Sequence, residues 1–179
     1  NMNVVRLHAQ PFRQEFVRTA DEQGFLIIVE SGLYSGDAPR SEQAYEHLRR
    51  LVKTFRNHPS VIIWSLTNEV GHQTVPRDPE TTAFLASLTR EVQKLDPTRP
   101  SYHSGYGQTQ DDVIINVHYP ERVSTQNWPN ILFWPEEPKT TPNPTVGEHL
   151  QWDKQRALMV GEHYLFSEDH RVPFVIALM

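Results

Sequence analysis

Short, uniformly apolar runs alternate along the chain with stretches of helical periodicity. The strong runs are residues 3–7, 25–29, 61–66, 113–117 and 157–161, with a weaker one at 101–104. Each strong run stops on polar or ionisable residues: His8, Glu30, Thr67-Asn68-Glu69, His118-Tyr119 and Glu162. Between the runs, Phe12, Phe16 and Ala20 share one helical face, and Gly24 supplies the stop. A second stripe is Tyr45, Leu48, Leu51, Val52 and Phe55, with Ser41 at the N-cap position. A third is Leu85, Leu88, Val92 and Leu95, opened by Asp78 and by Pro79 at the first helical position. A Pro-rich loop runs from residue 120 to 144, and a further helix is predicted over residues 146–156.

Strands that are apolar throughout, rather than alternating, are those buried on both faces of a parallel sheet. The strand–helix alternation predicts the same α/β class. Two architectures fit, a doubly wound sheet and a (β/α)8 TIM barrel. No G-x-G-x-x-G turn and no phosphate-binding loop follows the first run, which weakens the nucleotide-binding open sheet. A barrel places its chemistry at the C-terminal ends of several strands, as the terminating residues here suggest. A whole barrel takes about 250 residues. Six runs therefore predict a partial barrel, about strands 2 to 7, as a single domain over residues 1–179. The apolar end of the chain, VPFVIALM, opens a further helix or strand.

Composition narrows the chemistry. The chain has 179 residues and a net charge of −5, so neither a nucleic-acid surface nor a polybasic membrane patch is expected. No apolar run reaches the length of a transmembrane helix. The absence of cysteine removes disulfides, thiol nucleophiles and Cys-based zinc sites. No cofactor-binding motif is present, and no cofactor is predicted.

The segment HPSVIIWSLTNE, residues 58–69, resembles the acid/base signature of glycoside hydrolase family 2, a clan A family with a (β/α)8 catalytic domain. NVVRLHAQP and ADEQGFLIIVES are similar to that family's second and third barrel strands. DPTRP (96–100) is similar to the linker before the fifth strand, NVHYP (116–120) to the end of the sixth, and ALMVGEHY to the seventh. The resemblance implies a retaining glycosidase of the β-galactosidase, β-glucuronidase or β-mannosidase kind. It implies Glu69 as acid/base and Glu162 as nucleophile. It places Asn68 on the sugar 2-hydroxyl, Arg6 near the nucleophile, and Tyr119 holding it. The family's β-sandwich domains before the barrel have no counterpart here, and residues 1–179 alone are expected to be inactive.

Glycoside hydrolysis needs two carboxyl groups flanking the scissile bond, one to protonate the leaving oxygen and one to attack. Glu69 should carry the proton and Glu162 should stay ionised beside Arg6. The strand-end histidines His8, His103, His118 and His163 could donate to sugar hydroxyls. Trp128, Trp134 and Trp152 could offer flat apolar faces to a sugar ring, although packing is the commoner role for such residues. Glu30 also ends a strand, and reads equally as substrate-binding or structural. Glu136, Glu137 and Glu148 end no apolar strand. The expected partner is a carbohydrate, with homo-oligomerisation through the full-length protein left open. Two rivals remain. One is a non-catalytic carbohydrate-binding relic. The other is a metal-dependent hydrolase using His8, His118, His163 and a carboxylate, which lacks H-x-H or H-E-x-x-H spacing.

Overall fold

The computed structural model describes residues 3–34, 41–70, 79–105, 109–118 and 155–162. In chain order these form β1 (Val4–Arg6), α1 (Gln14–Gln23), β2 (Leu26–Glu30), α2 (Glu42–Phe55), β3 (Val61–Asn68), α3 (Pro79–Leu95), β4 (Ser101–Ser104), β5 (Ile114–His118) and β6 (Ala157–Glu162). The first four strands pair in parallel in the order β1-β2-β3-β4, and β5 pairs in parallel with β6. The predicted strands thus form close to their expected places. The helix predicted at 146–156 (apart from residues 155 and 156, which form a bend), the Pro-rich loop, Tyr119, His163, Asp78 and the three tryptophans at 128, 134 and 152 lie outside the described residues.

Alternation sorts each strand into two faces. On one face Val4, Ile28, Ile63, Tyr102, Ile114 and Met159 form a single apolar cluster, one residue from each of the six strands. On the other, Ile27, Val29, Trp64 and Leu66 pack beneath Val17 of α1, Leu48 and Val52 of α2, and Leu85, Leu88 and Val92 of α3. Burying each of these aliphatic side chains contributes about 1.5–3 kcal/mol. The α1 stripe differs from the expected one. The helix begins at Gln14, so Phe12 precedes it; Val17 and Ala20 are buried while Phe16 is 46% exposed, tilted against Phe12. Gly24 ends α1 in the left-handed region with φ of 70°, as predicted. Ser41 does occupy the α2 N-cap position, but its hydroxyl donates to the Gln43 side chain instead of capping the backbone.

The lead into β3 is built from polar clamps. Asp21 of α1 accepts the Ser60 N–H at 2.9 Å and pairs with His58 Nδ1 at 2.6 Å. Asp96 accepts Trp64 Nε1 at 3.0 Å, the Thr98 N–H at 3.0 Å and Arg99 Nη1 at 2.8 Å, while Arg99 Nε donates to the Val61 carbonyl at 2.6 Å. Burial alone would raise the Asp96 carboxyl, but these donors outweigh it and hold the group below the usual carboxylate range. The His-Pro-Ser and Asp-Pro-Thr-Arg-Pro segments are therefore scaffold, fixing where β3 starts.

Two irregularities decide which way the strand ends face. Ser65 pairs with Tyr102 and Asn68 with Ser104, so three steps on β3 oppose two on β4. Likewise Val117 pairs with Val160 but His118 with Glu162, an extra residue in β6 at Gly161. An extra residue flips the parity of everything after it. Asn68 and Glu162 consequently lie on the same interior face as Arg6.

Candidate active site

Arg6 is the hub at the C-terminal ends of the strands. Its Nη1 donates to Glu30 Oε2 at 2.6 Å, Ser104 Oγ at 2.7 Å and Asn68 Oδ1 at 3.3 Å, and its Nη2 donates to Glu162 Oε1 at 2.5 Å. One guanidinium fork thus joins β1, β2, β3, β4 and β6. Burial opposes its charge, but Glu30, Tyr102 and the hydrogen bonds to Glu162 and Glu30 prevail and hold it above its ordinary value. Beneath it, the fully buried Tyr102 hydroxyl lies beside Ser65 and Ser104 without reaching hydrogen-bond geometry. Burial pushes it up to about 12.

Glu162 is partly exposed, and the exposed His8 brings Nδ1 to within 3.2 Å of its Oε1. Asn68 is fully buried, and its Nδ2 has no hydrogen-bond partner among the described residues. Its N–H donates to the Leu33 carbonyl at 2.7 Å, and the next N–H, of Glu69, donates to the Ser104 carbonyl at 2.8 Å. Glu69 itself is half-buried and takes a left-handed φ of 53°. Such a conformation costs a non-glycine residue about 1–3 kcal/mol and is concentrated at functional sites. Gly105, with φ of 92°, lies against it; a Cβ there would stand 3.2 Å from Glu69 Cγ and 3.3 Å from its Cα.

The geometry resolves several expectations differently. Glu30 has no exposed surface and accepts Arg6, Ser65 Oγ at 2.7 Å and the Ala9 N–H at 2.5 Å. Of its two readings the structural one is favoured, because a substrate could not touch it without displacing those donors. His103 is no rim histidine. It is buried on the helix-facing side of β4, with Nδ1 3.0 Å from Thr67 Oγ1 and Nε2 3.0 Å from Thr89 Oγ1. Of the metal-hydrolase trio, only the His8 side chain is described, and it shares Glu162 Oε1 with the cation Arg6. His118 is placed by backbone register opposite Glu162.

Residues 1–146 match the family described as glycosyl hydrolases family 2, TIM barrel domain. The chain belongs to glycosyl hydrolase family 2. This family 2 barrel domain is 31% identical over 145 residues to a β-galactosidase of Yersinia enterocolitica. It is 32% identical over the same length to β-galactosidase 2 of Enterobacter cloacae. Each match covers 75% of the chain but 13% of the relative, so the chain spans a small part of the curated relatives' length. Its fold is similar to that of a β-glucuronidase from an uncultured Clostridium sp., with a TM-score of 0.59 at 20% identity, over 69% of this chain and 24% of that one.

Within this family 2 domain, the sequence pointed to Arg6, His8, Asn68 and Glu162, and these stand together: Arg6 hydrogen-bonds Asn68 and Glu162, and His8 lies against Glu162. Sequence reading passed over Ser65, Ser104, Gly105 and Asn116. Their only signal is a polar or glycine residue at interior parity, and in strands apolar on both faces the sequence does not say which parity is interior.

Proposed function

We propose that the full-length protein is a retaining β-glycosidase, with Glu69 as acid/base and Glu162 as nucleophile. The observation that carries the reading is the Arg6 fork. It binds Glu162 directly and Asn68, the residue before Glu69, so the ends of β3 and β6 converge on one cation. Glu69 would protonate the glycosidic oxygen as Glu162 attacks the anomeric carbon, forming a glycosyl ester and releasing the aglycone. A water deprotonated by Glu69 would then cleave the ester with net retention. The Nδ2 of Asn68, without a partner among the described residues, is a donor of the kind a sugar 2-hydroxyl needs. His8 would meet substrate beside the nucleophile, and His118 and Tyr119 would border it. The six strands take the second to seventh positions of the eight-stranded barrel. A β-galactoside or β-glucuronide is the substrate class suggested by the relatives' names.

The test is covalent trapping. A 2-fluoro glycoside that inactivates the full-length protein should leave a sugar on Glu162, located by peptide mass spectrometry, and Glu162→Gln should abolish turnover. Labelling of another carboxylate, or an inverted product seen by proton NMR, overturns the assignment.

A further inference from the structure

β4 and β5 belong to different hydrogen-bonded ladders. At their C-terminal ends a side chain does what the backbone does not: Asn116 Oδ1 accepts the Gly105 N–H at 2.9 Å, in a fully buried bond. Asn116 follows Ile114 at the same parity, so it lies on the interior face one step above the apolar cluster, and it is 1% exposed. Its Nδ2 has no partner among the described residues, so acceptance from Gly105 is the one described task of its amide. Gly105 in turn is the wall against which Glu69 stands, close enough that even a methyl group would press on the Glu69 Cα and Cγ. The residue before it, Ser104, accepts the Glu69 N–H through its carbonyl. Residues 104 and 105 therefore fix both the backbone and the side-chain root of a glutamate whose own φ is strained.

We propose that Asn116 is a positioning residue for the acid/base: by pinning the Gly105 N–H it sets where the Glu69 carboxyl stands relative to the leaving oxygen. The inference rests on Glu69 being the acid/base. It predicts a defect confined to steps that need a proton. A poor leaving group must be protonated as it departs, whereas a dinitrophenolate leaves without help. Since kcat/KM reports glycosylation alone, the two substrate types separate acid placement from general damage.

The experiment measures kcat/KM of the full-length protein on phenyl and 2,4-dinitrophenyl β-glycosides of one sugar. Asn116→Leu, which removes the acceptor, should lower the phenyl value by about 10- to 100-fold, the scale of a misplaced catalytic group. The dinitrophenyl value should change little. Asn116→Asp keeps an acceptor for Gly105 and should recover most of the loss. If the leucine variant does not fold, Asn116→Ala carries the same prediction. Equal losses on both substrates, or no loss on either, overturn the proposal. Glu69→Ala is run in parallel: if it fails to discriminate the two leaving groups, the acid/base reading itself falls. If it discriminates and the Asn116 variants do not, only the positioning role falls.

Discussion

Replacing Glu30 with glutamine tests whether this carboxylate is scaffold or substrate contact. The side chain is fully buried and serves three donors: Arg6 Nη1 and Ser65 Oγ at Oε2, and the Ala9 N–H at Oε1. Glutamine keeps the shape, loses the charge, and turns one oxygen into a donor. Placed toward Ala9, the amide nitrogen meets an N–H; placed toward Arg6, it meets a cation. At least one buried donor is left without its acceptor either way, at about 1–3 kcal/mol, and the charge-assisted bond is worth about 1.5–3 kcal/mol. The total matches the roughly 3–5 kcal/mol lost when one partner of a buried ion pair is removed. At about 2–4 °C per kcal/mol for a domain of this size, the barrel transition should fall by about 6 °C or more. In the first placement Ala9, held at a left-handed φ of 52°, loses the bond that secures it. Calorimetry of the full-length protein reads the transition, and kinetics on an aryl glycoside read the site. Because Arg6 still binds Glu162 but its opposite anchor is no longer charged, kcat should fall while KM stays near the wild-type value. A large rise in KM with the transition unmoved would refute the reasoning, since that is how a lost substrate contact behaves.

Three further outcomes follow. Gly105→Ala forces a Cβ against Glu69 at a φ of 92°, and should lower kcat/KM on phenyl glycosides by about a hundredfold, the cost of an ångström-scale misplacement, in steady-state assays. Asp96→Asn should destabilise the barrel at neutral pH. The Asp96 carboxyl is held low only in the folded chain, so its contribution is present above about pH 4 and fades below it. Urea midpoints of wild type and variant should therefore converge on acidification. Tyr102, pushed up from 10.0 to about 12, makes the folded chain lose stability as pH rises from 10.0 towards 12, because the unfolded chain releases that proton first. Tyr102→Phe should weaken that alkaline loss in the same denaturation series, and leave stability near neutrality almost unchanged because its hydroxyl has no hydrogen-bond partner among the described residues.

The sequence carried the architecture because the strands are buried on both faces. Such a strand must be apolar throughout, so the runs ending at Asn68 and Glu162 were visible without any knowledge of pairing. Helix stripes were visible for the same reason, and the slip at α1 came from starting the helical count at Phe12, two residues before the helix begins. The polar network was far less legible. Glu30, His103 and Glu162 all stand at or near strand ends. The first is buried under Arg6, the second faces the helices, and the third faces the interior. Face is set by parity, and His103 stands between Tyr102 and Ser104, both interior, so alternation alone turns it away from the site.

For Glu162 and for Asn68, the residue before Glu69, parity alone gives the wrong answer. Met159 lies on the interior face, so strict alternation would send Glu162 to the helices; the extra residue at Gly161 returns it to Arg6. On β3, Ser65 is interior and Asn68 would face outward were there not one more residue on that strand than on β4 between the paired positions. Both strands that end in a candidate catalytic glutamate thus carry a one-residue insertion in their last turn of pairing. An insertion breaks the ladder locally and leaves a backbone group to be satisfied elsewhere. On β3 it is satisfied across strands: the Asn68 N–H turns to Leu33 and the Glu69 N–H to Ser104. The same irregularity that brings Asn68 to the interior therefore ties Glu69 to β4, next to the glycine that Asn116 secures. Aiming a polar side chain inward and anchoring its neighbour are, in this barrel, two consequences of one extra residue.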